Sequence, residues 1–70
     1  MKTSKSERQT RLLQLIRDEE ISTQEDLVAG LNLAGLAVTQ ATISRDVKEL
    51  GIIKVTTGSG QQKYVPMERS

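Results

Sequence analysis

The sequence predicts a small, mainly α-helical domain closed by a β-hairpin, and three observations predict it. Apolar residues recur at helical spacing in three successive stretches, each bounded by polar caps or glycine. After Gly51 the pattern changes to two short extended runs around Thr57-Gly58-Ser59-Gly60. Seventy residues with one aromatic, Tyr64, leave a core of Leu, Ile, Val and Ala, which suits packed helices better than a large sheet.

Leu12, Leu13, Leu15 and Ile16 form the stripe of a first helix over roughly residues 5 to 18, with Arg8, Arg11, Gln14 and Arg17 on its wetter side. Asp18-Glu19-Glu20 opposes the helix dipole and marks its end. Ile21 is a short apolar link, at most a strand of one or two residues. Ser22 with Glu25 fits a capping box, and Thr23 with Asp26 offers a similar start one residue on. The second helix is expected over about residues 23 to 34, burying Leu27, Val28, Leu31 and Ala34 and stopped by Gly35. Leu36-Ala37-Val38 crosses to Thr39, a good N-cap for a third helix that runs to about Leu50 and closes at Gly51. Ile43, Val47 and Leu50 make its apolar edge. Ala41, Arg45 and Lys48 lie opposite at 100° per residue, flanked by Ser44 and Thr42. Ile52 to Thr56 and Gln61 to Val65 then read as the strands of a hairpin, ended by Pro66.

Composition removes several classes of function. With no cysteine and no histidine, the chain has no disulfide, thiol nucleophile, imidazole base or soft zinc ligands. Glu19-Glu20 and Glu25-Asp26 adjoin a helix end or cap, with no pocket to raise a carboxyl pKa. Gly58-Ser59-Gly60 lacks the G-K-[ST] ending of a phosphate loop. A non-enzyme without metal or catalytic residues is expected. No apolar run approaches the ~20 residues of a membrane span and no signal-peptide h-region follows the basic N-terminus, so a cytoplasmic protein is expected.

The net charge of +1 hides an uneven distribution. Residues 1 to 17 set Lys2, Lys5, Arg8, Arg11 and Arg17 against Glu7, a net of +4. Residues 18 to 38 carry only five acidic groups, and residues 39 to 70 return to +2. A fold that brings both ends to one side would present a basic face to a polyanion.

Two short helices joined by a Gly-containing turn and followed by a hairpin make a winged helix-turn-helix, three helices plus a two-stranded wing. A helix fits the major groove of B-DNA, and residues near its N-terminus meet base edges while its positive dipole end faces phosphate. The third helix has that form. Arg45 can pair with guanine O6 and N7, Gln40 with adenine or a phosphate, and Ser44 and Thr42 with base or backbone, while Lys48 suits a phosphate. Arg8 and Arg11 on the first helix and Lys54 and Lys63 on the wing are candidate backbone contacts. Each also has a plainer reading as a solvated surface group, and the Gly58-Ser59-Gly60 tip is equally what any hairpin turn needs.

Thr23-Gln24-Glu25-Asp26-Leu27-Val28, Gly35, the run from Val38 to Leu50 that contains V-T-Q-A-T-I-S-R-D, Lys54-Val55 and Lys63-Tyr64 together resemble the N-terminal DNA-binding domain of bacterial arginine repressors. The resemblance covers about residues 6 to 66. It implies that Ser44 and Arg45 correspond to the family's Ser-Arg pair on the recognition helix, with Gln40 and Thr42 helping to position it on a palindromic arginine operator. It also implies regulation of arginine biosynthesis or catabolism in a bacterial cytoplasm. Complete family members carry a C-terminal domain that binds L-arginine as co-effector and assembles hexamers; nothing in these 70 residues matches it. Residues 1–66 are therefore expected to be the DNA-binding domain, without a cofactor of its own and monomeric in isolation, and residues 67–70 the start of a linker. Two alternatives stand beside this reading. One is another winged-helix repressor of the DeoR type, against which Ser44 and Val38-Thr39-Gln40 argue. The other is a winged-helix protein-interaction module, which calls for an exposed apolar patch on the third helix or the wing.

Overall fold

The computed structural model describes residues 4–67. Lys2 of the basic cluster and Glu68, Arg69 and Ser70 of the expected linker lie outside them. The order is α1 (Lys5–Asp18), α2 (Gln24–Leu33), α3 (Gln40–Leu50), β1 (Ile53–Thr56) and β2 (Gln62–Val65). These are the three helices and wing read from the sequence.

Each helix begins at a hydroxyl in extended conformation. Ser4 accepts the Glu7 N–H at 3.1 Å, Thr23 that of Asp26 at 3.1 Å and Thr39 that of Thr42 at 3.4 Å. Thr23, not Ser22, is thus the cap of α2. Two helices end at glycines that hold positive φ, Gly35 at 91° and Gly51 at 70°. At the first, Gly35 N–H donates to Asn32 O and Leu36 N–H to Leu31 O, both at 3.0 Å. At the second, Gly51 N–H donates to Lys48 O at 3.2 Å and Ile52 N–H to Val47 O at 3.0 Å. In both Schellman turns the residue after the glycine, Leu36 or Ile52, is swung into the core.

That core is aliphatic. Leu12, Ile16, Ile21, Leu27, Leu31, Leu36, Ile43, Val47 and Ile52 surround the single ring of Tyr64. Leu13, Leu15, Val28, Val38 and Leu50 pack around it half-buried. Ala34, expected on the buried face of α2, is exposed, because the chain is already leaving the helix there with ψ near 4°. Gly30 lets α1 and α2 close tightly: a Cβ on it would lie 2.6 Å from a methyl of Leu15.

The strands pair antiparallel, with Ile53 opposite Val65, Lys54 opposite Tyr64, Val55 opposite Lys63 and Thr56 opposite Gln62. The tip closes through Thr57 N–H to Gln61 O at 2.6 Å and Gly60 N–H to Thr57 O at 3.0 Å. Ile21 is no strand of its own. Its carbonyl instead accepts the Tyr64 N–H at 2.8 Å, tying the α1–α2 link to the wing.

Gly51→Ala places a side chain at left-handed φ and should lower unfolding free energy by about 1–2 kcal/mol in urea titrations. Gly58→Ala, at a site with open space and no positive φ, should stay within about 0.5 kcal/mol of the parent.

Candidate nucleic-acid interface

The sequence of α3 divides its surface into arcs. Ile43 and Val47 are buried, and Ala41, Arg45 and Lys48 face solvent on the opposite side. Gln40 and Ser44 lie on the flank toward α2, and Thr42 and Glu49 on the flank toward α1. Thr39 caps the helix and no carboxylate stands in its first turn, so its positive dipole end is open to an anion. The first turn of α2, by contrast, carries Glu25 and Asp26.

Asp46 lies about 60° from Ile43 at the α1 edge of the buried arc and is 2% exposed. A carboxylate there needs partners. Arg8 of α1 supplies two, Nε to one carboxylate oxygen at 2.5 Å and Nη2 to the other at 3.0 Å, and Gln9 Nε2 adds a third bond at 3.2 Å. Gln9 also donates to Glu49 at 2.9 Å, and Lys5 pairs with Glu49 at 2.6 Å. The Arg8 hydrogen bonds hold the Asp46 carboxyl below the usual carboxylate range against the opposing effect of burial, with Gln9 assisting. The same bonds raise the Arg8 guanidinium further. Lys5, then Gln9, hold Glu49 low.

The arrangement revises the reading of Arg8. Expected as a solvated cation free to meet phosphate, it is turned inward, its side chain 19% exposed and committed to Asp46. Arg8, Thr42 and Arg45 share the α1–α3 cleft with Lys5, Asp46 and Glu49. Arg11 lies elsewhere, in the α1–α2 groove beside Gly30 and Ala34. Lys54 and Lys63 project from opposite faces of the wing. Lys54 stands 5.1 Å from the Tyr64 ring centroid, a cation–π approach. Among the described residues Arg45, Lys48, Arg11 and Lys63 make no ion pair.

The remaining α3 candidates differ in how they are held. Gln40 is exposed and bonds no described side chain. Thr42 Oγ1 lies 3.1 Å from Thr39 Oγ1 and belongs to the cap. The Ser44 hydroxyl donates to Oε1 of Gln24, the first residue of α2. Sequence reasoning missed Gln24, Gln9 and the structural use of Asp46. The contacts span 20 to 40 positions, and the one available signal was that Asp46 follows Ile43 by three residues, at the edge of the buried arc. The exposed large apolar residues Leu33, Ile53 and Met67 all lie off the outward face of α3, although Ile53 belongs to the wing. No described helix is long and apolar enough to cross a membrane.

Comparison with known proteins places this geometry in context. Residues 3–70 match a family described as arginine repressor, DNA binding domain. The chain is 52% identical over 67 residues to the arginine repressor of Halothermothrix orenii, covering 94% of the chain and 45% of that protein. It is 55% identical over 60 residues to that of Caldicellulosiruptor bescii, covering 86% and 40%. To that of Thermus thermophilus it is 45% identical over 62 residues, covering 89% and 38%. The chain thus spans less than half the length of these curated relatives.

Removing Arg8 strands a buried carboxylate. Arg8→Ala should therefore cost about 2–3 kcal/mol, below the range for a fully buried pair because Arg8 is partly solvated. A carboxyl more acidic in the folded state stabilises fully above its unfolded pKa, near about 4, and loses that contribution as pH falls through the folded value. Melting from about pH 7 to about pH 2 should thus show a shallower acid limb in Asp46→Asn than in the parent, and parallel limbs would contradict the assignment.

Proposed function

We propose, from the premise that the chain belongs to the arginine repressor family and forms its DNA-binding domain, that it reads a palindromic operator in double-stranded DNA through α3 and directs an arginine-responsive regulator of arginine metabolism. The observation that carries this reading is the outward face of α3. It offers Arg45 and Lys48, ion-paired to none of the described residues, around the small Ala41, beside a capped helix N-terminus free of carboxylates. Arg45 reads a base edge, with Gln40, Thr42 and Ser44 contacting bases or backbone around it, and Lys48 neutralises phosphate. Arg11, Lys54 and Lys63 add backbone charge from α1 and the wing. Arg8 contributes differently: by neutralising Asp46 it keeps that negative charge from opposing the phosphates next to Arg45.

Residues 1–66 act as the reading unit and residues 67–70 open a linker toward the remainder of a longer protein. The relatives, more than twice as long as the matched segment, supply the reason to look there for L-arginine binding and for hexamer assembly. Alone, the domain is a monomer that binds weakly. Tethered copies on repeated half-sites gain occupancy through effective concentration. As a regulator's DNA-binding part it acts in the bacterial cytoplasm, without chemistry of its own.

Fluorescence anisotropy on a palindromic arginine-operator duplex and a shuffled duplex, each over a salt series, tests the reading. Arg45→Ala should lose about 1–3 kcal/mol of discrimination and keep most of the affinity for the shuffled duplex. Lys48→Ala should weaken both duplexes alike and reduce the salt slope by about one. Equal binding of both duplexes by the unaltered chain would sink sequence reading.

A further inference from the structure

We infer that Gln24 belongs to the recognition surface, where it takes the only proton of the Ser44 hydroxyl and makes Ser44 a pure acceptor, matched to the amino group of an adenine or a cytosine. The inference rests on the DNA-reading function proposed above and names what that site selects.

A helical serine ordinarily returns its proton to the carbonyl four residues back or leaves it to water. Ser44 does neither, since its Oγ donates to Gln24 Oε1 across the α2–α3 turn. A hydroxyl has one proton and two lone pairs, so a serine whose proton is taken can only accept. The partner is held in place. Gln24 lies on the arc of α2 that carries Leu27, Val28 and Leu31, and both Gln24 and Ser44 are half-buried. Glu25 and Asp26 are turned away from that arc by about 100° and 200°. The Gln24 amide nitrogen bonds none of the described residues, and no buried side-chain polar atom among them lacks a partner, so its two N–H groups face solvent.

In the major groove adenine N6 and cytosine N4 are the donors, whereas guanine O6 and N7 and thymine O4 are acceptors. An acceptor-only Ser44 bonds the first pair and opposes the second. The discrimination comes as much from the unfavourable pairing as from the favourable one.

The test begins with duplexes that the chain selects from a random pool of double-stranded DNA, and with the position at which Ser44→Ala relaxes that selection. The base there should be adenine or cytosine. Replacing it with purine or pyrimidin-2-one, which lack the amino group, should weaken binding about fivefold to tenfold. Gln24→Met should lose the same base preference about fivefold, a loss larger on the selected duplex than on a shuffled one. Gln24→Glu still accepts the Ser44 proton; it should keep the preference yet weaken every duplex, because a carboxylate replaces a neutral amide near phosphate. A role confined to helix packing would instead lower the melting temperature of Gln24→Met and leave its base preference intact, which overturns the inference. So would a selected position insensitive to loss of the amino group. If the unaltered chain selects no sequence at all, the DNA-reading premise fails and this inference with it.

Discussion

The carboxylate of Asp46 occupies the arc of α3 that otherwise buries Ile43 and Val47, and the forked guanidinium of Arg8 is what makes its burial tolerable. Helix α1 packs on α2 and β2, and α2 packs on α3. Arg8, Gln9 and Lys5 tie α1 directly to α3. A forked, planar pair constrains orientation as well as distance, so it fixes the rotation of α3 about its axis in a way that aliphatic contacts alone would leave looser. The outward placement of Ala41, Arg45 and Lys48 follows from that rotation.

The same network sorts the charges. A chain with nearly balanced acids and bases is a poor electrostatic partner for a polyanion unless the acids are neutralised where it binds. Two of the N-terminal cations, Lys5 and Arg8, are used internally against Glu49 and Asp46, the two acids of α3. The helix then presents Arg45 and Lys48 beside carboxylates that already hold cationic partners. Basic residues that look redundant in a census thus serve by cancelling, while others remain free.

How much was legible in the sequence depends on the range of the interaction. The helix boundaries, the cap at Thr39 and the stops at Gly35 and Gly51 rest on signals within four residues and emerge where local chemistry puts them, while at α2 those signals fit Ser22 and Thr23 alike and the chain uses Thr23. The hairpin is equally local, with Gly60 at positive φ in its turn. Long-range polar partners leave no such trace. Arg8 reads as one more surface cation until Asp46 is found 38 positions away, and Gln24 reads as a neutral first-turn residue until Ser44 is brought against it. Arg11, Lys54 and Lys63 carry the charge that the sequence advertises, yet composition cannot say that the two lysines leave opposite faces of the wing while Arg11 lies in the α1–α2 groove.

Tyr64 is the chain's only aromatic residue, and it is 7% exposed. Its N–H holds the carbonyl of Ile21 and its ring lies beneath the Lys54 ammonium. With no tryptophan to dominate the emission, every aromatic absorption and fluorescence signal the polypeptide gives originates at the seam between wing and helices. The molecule therefore carries an intrinsic optical probe at one place, sensitive to the wing lifting from the body and blind to events at the far end of α2.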